Sequence, residues 1–152
     1  LLPPHDLDEL RLAALDTELR QDVPGTDGWE TTIEMWRAEI ESPEYDPNGY
    51  LIAVDEVTGA YCGLIRFWRN ADQPRLGLLA VTRPHRGSLL ATALLRAGLE
   101  GASDWGSQTF STSTSPSNPG TYPALLRLGV RPIDRRYQMV LTTDYRPPIS
   151  DT

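Results

Sequence analysis

A strand-like run, Leu78-Leu79-Ala80-Val81, passes through Thr82-Arg83-Pro84-His85-Arg86-Gly87-Ser88 into a helix-like run opening on Leu89-Leu90-Ala91-Thr92. Here residue types and spacing could do chemistry. The first turn of a helix leaves four backbone N–H groups without partners, and the aligned peptide dipoles add partial positive charge there. A small residue, Gly87, and a guanidinium, Arg86, just ahead of such an end make a cradle for a diphosphate. A guanidinium can also take a terminal phosphate in a fork. The same residues equally describe an ordinary strand–turn–helix connection, and local reasoning leaves both readings open. His85, inside the turn, reads as a solvent or phosphate contact rather than a base.

Elements on both sides must position this turn. Upstream, Leu7, Leu10 and Ala14 fall on one helical face, widened by Leu12, Leu15 and Leu19, and Asp22-Val23-Pro24-Gly25 ends that helix. Trp29, Ile33, Trp36 and Ile40 mark a second helix, starting at Trp29 or Thr31, with Thr31 and Glu34 as a capping box. Short β-type runs follow at 50–54 and 61–68, paired as a hairpin, and at 76–81. The next helix is expected from the Arg86–Leu90 region to about Ser103, with Leu90, Leu94 and Ala97 facing inward. A strand at 108–114, a short helix at 122–128 stopped by Gly129, a strand at 137–142 and a loose tail at 143–152 complete the chain. The order α, α, β, β, β, α, β, α, β predicts an α+β (α/β) fold, a mixed sheet partly covered by helices. One domain spans 1–152, with its core at about 4–141.

Composition narrows the function classes. The 152 residues are 39% hydrophobic and 23% charged, as in an ordinary globular domain. The formal net charge of −7 argues against a nucleic-acid partner, which calls for a basic surface, and leans towards a cationic acceptor such as an amine. All 14 basic residues are Arg, so no Lys of this sequence serves as a Schiff base or general base. No run approaches the roughly 20 apolar residues of a membrane helix. The opening LLPPHDLDEL lacks the basic segment and cleavage site of a signal peptide, and the absence of an initiating Met points to a piece of a longer chain. A single cysteine, Cys62, sits in an apolar strand as a small buried hydrophobe, and a reducing cytoplasm is the expected compartment.

The run V-x-R-P-H-R-G…L-A-T-A-L-L resembles motif A of the GNAT superfamily of acyl-CoA N-acetyltransferases, R-x-x-G-x-G/A after a hydrophobic strand. Arg86 takes the Arg position, Gly87 and Ser88 the variable ones, Leu90 the next variable one and Ala91 the closing Gly/Ala. Leu89 stands where the family has Gly, and a side chain there is expected to crowd the diphosphate or twist the turn. The resemblance implies a GNAT-like, mostly antiparallel central sheet flanked by helices. It also implies that main-chain amides at Arg86, Gly87, Ser88, Leu89, Leu90 and Ala91 hold the diphosphate of acetyl-CoA, and that the strand at Leu79 and Val81 pairs with the pantetheine arm. Downstream, Asn118 followed by a short helix ending in Leu-Gly129-Val130 resembles the family's closing element. Asn118 thereby inherits a pantetheine contact, alongside a plain reading as helix N-cap. The family's acid position holds Leu125, which leaves Tyr122 as the nearest hydroxyl to protonate the departing thiolate. The family's first strand normally precedes its first helix. Here the chain opens almost at that helix, so the strand is expected to be missing or supplied by another segment.

What the resemblance implies is acetyl transfer from acetyl-CoA to a primary amine of a small molecule or peptide. The alternative is a catalytically degenerate GNAT-fold domain serving as a structural, regulatory or acyl-CoA-sensing half of a larger protein. A second GNAT domain or a homodimer would be its protein partner. No acid lies within 76–81 to act as base, and no metal is expected. Tyr61, Phe67, Trp68 and Trp105 read as core or as an acceptor pocket.

Overall fold

The structure is a computed structural model that describes residues 1–26, 28–118 and 120–135. Helix α1 (Glu9–Arg20) begins where the Asp8 carboxylate accepts the Arg11 amide at 2.9 Å. Its buried face is Leu12, Ala13, Leu15, Asp16 and Leu19, whereas Leu10 and Ala14 face solvent. The expected stripe is thus rotated, because α1 docks through a carboxylate, Asp16, that apolar periodicity ignores. Helix α2 (Ile33–Ile40) starts later than either expected position, with the Thr32 hydroxyl accepting the Met35 amide at 3.2 Å. Thr31 cannot cap it, since its hydroxyl donates to Asp16 at 2.5 Å and accepts from the Trp29 indole at 3.0 Å.

Strands β1 (Tyr50–Val54), β2 (Tyr61–Trp68), β3 (Arg75–Val81) and β4 (Ser111–Thr112) form one sheet in the order β1-β2-β3-β4. The first two pairings are antiparallel and β3–β4 is parallel. At the outer edge of β1, Leu2 exchanges both main-chain hydrogen bonds with Ile52, at 2.9 and 2.8 Å. A one-residue bridge therefore stands where the family's first strand was expected.

Side chains alternate across β2, as a pleat requires. Leu64 joins Leu12, Leu15, Leu19, Trp36, Tyr50 and Ile52 under α1 and α2. Ile65 and Phe67 point the other way, towards Leu94 of helix α3 (Leu90–Ala102). Burying a side chain such as Leu64, Ile65 or Leu94, each fully enclosed, contributes about 1.5–3 kcal/mol. Helix α3 lies tight on the segment before β1: a Cβ on Gly101 would meet the Asn48 carbonyl oxygen at 1.8 Å. Helix α4 (Thr121–Arg127) ends as expected at Gly129, whose φ of 80° lets the Gly129 and Val130 amides turn back onto Leu126 and Leu125. The expected strand at 137–142 and tail at 143–152 lie outside the described residues.

Candidate active site

Strand β3 has one paired and one largely open edge. Its pairing with β2 skips Gly77, since Arg66 lies opposite Leu78 and Phe67 opposite Leu76. On the other side it meets β4 only at Arg75 and Leu76, held by the Ser111 amide on the Pro74 carbonyl at 2.9 Å and the Thr112 hydroxyl on the Leu76 carbonyl at 3.1 Å. This is why β4 is two residues long rather than the expected seven-residue stretch at 108–114. From Gly77 onward no strand among the described residues pairs that edge. The Thr82 amide donates to Cys62 of β2 at 2.8 Å, which sets the alternation. Leu79 and Val81 therefore turn their N–H and C=O groups away from β2, into the gap. An unpaired edge is a template for an extended ligand that carries amides.

The gap runs into the basic turn. A single 3₁₀ turn (Arg83–His85) follows β3, and the buried Thr82 hydroxyl is 2.9 Å from His85 Nδ1, which fixes the ring. Gly87 has φ +75° with open space around its missing Cβ, a left-handed conformation that disfavours other residues. Ser88 Oγ donates to the His85 carbonyl at 2.6 Å and accepts the Leu90 amide at 3.2 Å, so one end-group of α3 is satisfied by protein. Arg86 and Gly87 form a hydrogen-bonded turn that closes at Ser88, whereas the amides of Gly87, Leu89, Ala91 and Thr92 donate to no atom among the described residues. Helix α3 begins at Leu90, at the late limit of the expected range. Leu89 has a φ of −77° that suits any residue, so it does not twist the turn, and its side chain is 82% exposed beside the amides.

Arg86 has a partner that local reading missed. Its Nη2 is 2.5 Å from Asp22 Oδ2, and Arg83 Nη2 is 3.0 Å from Asp22 Oδ1. Hydrogen bonds from Arg83 and then Arg86 hold the Asp22 carboxyl down at about 2. The two partners are 64 and 61 residues apart in sequence, and no motif spacing announces such a pairing.

A family model described as the acetyltransferase (GNAT) family matches residues 12–130. The chain belongs to the GNAT acetyltransferase family. Among solved structures, a GCN5-related N-acetyltransferase from Sphaerobacter thermophilus is similar at 26% identity and TM-score 0.63, covering 81% of this chain. The match spans only 38% of that protein's length. Ard1 from Thermoplasma volcanium shares the fold at 15% identity and TM-score 0.61, covering 81% of this chain and 78% of its own. So does an aminoglycoside acetyltransferase from an uncultured soil sample, at 18% identity and TM-score 0.57, covering 90% of this chain and 95% of its own. A search of curated proteins returned no match.

The remaining GNAT-derived positions are less convergent. Asn118 Oδ1 accepts the Gly120 and Thr121 amides at 3.2 and 2.9 Å, but the N-cap of α4 is Gly120, so Asn118 braces the turn ahead of the helix rather than occupying the cap position. Tyr122 lies half-buried in the first turn of α4, and Leu125 is buried. Neither forms a hydrogen bond to β3 or the basic turn among the described residues. The aromatic residues do not gather into one pocket. Phe67 is buried edge-on against Phe110, and Tyr61 lies beneath Arg11, whose guanidinium carbon is 4.0 Å from the ring centre. Trp105 donates to Asp46 at 3.0 Å, while Trp68 packs beside Tyr50 and Arg66.

A second charged constellation underlies the α1/α2 face of this GNAT sheet. Arg66 of β2, opposite Leu78 of β3, is buried with Nη1 at 3.4 Å from Asp16, 3.5 Å from the Tyr50 hydroxyl and bonded to Glu39. Asp16 also accepts from Arg20 Nε at 2.6 Å and from the Thr31 hydroxyl. Burial pushes the Glu39 carboxyl up, against the opposing pull of Arg66. An Arg between Ile65 and Phe67 in a strand, and an Asp on an apolar helix face, were the sequence signals for this cluster. Among the described residues, no three His, Cys, Asp or Glu side chains are placed to hold a metal ion, and no helix is long and apolar enough to cross a membrane.

Proposed function

We propose that the chain transfers an acetyl group from acetyl-CoA to a primary amine of a small molecule or peptide. The observation that carries this reading is the continuity between the open edge of β3 at Leu79 and Val81 and the amides of Gly87, Leu89, Ala91 and Thr92, which have no partner among the described residues. A ligand with an amide-bearing arm and a diphosphate matches those two features in order, and family membership supports acetyl-CoA as that ligand. Leu79 and Val81 would pair with the arm through main-chain groups, the turn amides would hold the diphosphate, and Arg86 would contribute its guanidinium. Leu90 would contribute packing rather than an amide, which Ser88 already takes. Asn118 would reach the arm only by sharing a side chain that already accepts the Gly120 and Thr121 amides.

Acetyl-CoA supplies an activated thioester. The protein's tasks are to align the amine with the carbonyl, to accept the ammonium proton and to return a proton to the leaving sulfur. Tyr122 is the hydroxyl proposed for that return. An acidic chain of net charge −7 suits a cationic amine, and a buried Cys62 suits a cytoplasmic setting.

The degenerate alternative draws support from the carboxylate of Asp22 on Arg83 and Arg86 and from buried Leu125 at the usual acid position. Calorimetric titration with acetyl-CoA separates the two. Saturable binding followed by turnover with a model amine, slowed in kcat by Tyr122→Phe, is the expected result. No heat and no thermal shift at millimolar ligand would leave the chain a structural role only.

A further inference from the structure

We infer that Asp22 acts as an internal anion, occupying the Arg83–Arg86 guanidinium pair of the unliganded protein and giving it up when a diphosphate binds. This rests on the reading of the basic turn as a diphosphate site. One carboxylate spans both arginines, Oδ1 accepting from Arg83 Nη2 at 3.0 Å and Oδ2 from Arg86 Nη2 at 2.5 Å and Arg83 Nε at 3.5 Å, as one face of a phosphate would. The arrangement is exchangeable. The Arg83, Arg86 and Asp22 side chains are 74%, 45% and 35% exposed, so separating them desolvates nothing and water can take either partner. The amides of Gly87 and Leu89 have no partner among the described residues, so the carboxylate satisfies the arginines without filling the cradle.

Asp22 lies just past Gln21, the C-cap of α1, at the start of the connection to α2. Its carboxylate makes the only hydrogen bonds from that connection to the basic turn among the described residues. The far half of the connection is tied elsewhere: Gln21 donates to the Trp29 carbonyl at 2.9 Å, and the Thr31 amide and hydroxyl hold Thr17 and Asp16. Exchange of Asp22 for a diphosphate therefore releases the near half from the basic turn, while the Val23 amide and the Thr26 hydroxyl keep it on the Arg20 carbonyl. Occupancy of the cofactor turn becomes mechanically linked to the connection between α1 and α2. A ligand must displace the carboxylate first, so apparent affinity is lower than the bare turn would give.

The test compares the wild type with Asp22→Asn, which keeps shape and removes charge, by calorimetry against CoA and against pantetheine, which has no phosphate. Melting temperatures establish that both proteins are folded, and Asp22→Ala serves if the Asn variant is not. Release of one exposed carboxylate from two arginines predicts CoA binding tighter by roughly three- to tenfold in the variant, with pantetheine unchanged. In the wild type, CoA should also speed hydrogen exchange at the amides of Val23 and Thr26, which now bond to the Arg20 and Val23 carbonyls, and should leave the variant's rates unaltered. Binding by the variant alone supports the inference outright. Equal or weaker CoA binding in the variant overturns it and makes Asp22 a positioning residue, with the cofactor reading intact. Equal gains for CoA and pantetheine overturn it as well. Silence from both proteins towards CoA removes the cofactor reading and this inference together.

Discussion

Two charge clusters flank the sheet, built from the same residue types and opposite in exposure. Beneath α1 and α2, Arg66 and Asp16 are buried and hydrogen-bond to Glu39, Arg20, Thr31 and Tyr50, with Arg66 Nε left without a partner among the described residues. At the end of β3, Arg83, Arg86 and Asp22 form an equally close set in solvent. The difference lies in what happens when a partner leaves. A buried guanidinium without its carboxylate keeps its desolvation penalty, so the inner cluster is a fixed joint between helices and sheet. An exposed guanidinium regains water at once, so the outer cluster can trade its carboxylate for a ligand. Nature of the side chain does not separate joint from site here; access to water does.

The contrast is open to attack, beginning at the inner cluster. Arg66→Ala should cost up to about 3–5 kcal/mol of unfolding free energy in urea melts, because it takes a buried guanidinium from Glu39 and Asp16 and leaves Asp16 with Arg20 and Thr31 alone. A loss below about 1 kcal/mol would mean that water reaches Asp16, and the distinction between the clusters would fail. A smaller effect is expected in the turn beside the outer cluster. Gly87→Ala should lose roughly 1–2 kcal/mol, the strain of a side chain at φ +75°, and should also weaken acetyl-CoA binding as the amides rotate. An unchanged affinity would detach the turn from the ligand.

The smallest effect is in the titration of Asp22. Its folded pKa lies below the unfolded 3.8, at about 2, owing to hydrogen bonds from Arg83 and Arg86. Its pairing therefore favours the folded state above pH 3.8 and is lost as pH falls from there towards about 2. Glu18 also faces Arg83, and its carboxylate supports the same guanidinium. A carbon-detected NMR titration should place the Asp22 midpoint near 2, and a midpoint near 3.8 would show the outer cluster dissolved in solution.

Much of the architecture was legible along the chain. The β runs at 50–54, 61–68 and 76–81 follow β-branched and aromatic patterning, and Gly129 stopped its helix for the conformational reason anticipated. The basic turn was legible because its signals are contiguous: a hydrophobic strand, Arg86, Gly87 and a helix start. The start of α2 was missed because Thr31 and Thr32 are equivalent caps in sequence. The face of α1 was missed because Asp16 reads as polar when taken alone.

By itself, the sequence determined the local conformations: where the backbone extends, coils or turns left-handed, and where helix amides stand ready for an anion. Short-range sterics and hydrogen bonding set these, and they act between residues a few positions apart. Tertiary structure alone decided that β3 parts from β4 after Leu76, that Asp16 meets Arg66 and that Asp22 closes on Arg83 and Arg86. Those contacts join residues 50 or more positions apart, and their energies depend on burial, which exists only once the layers have packed.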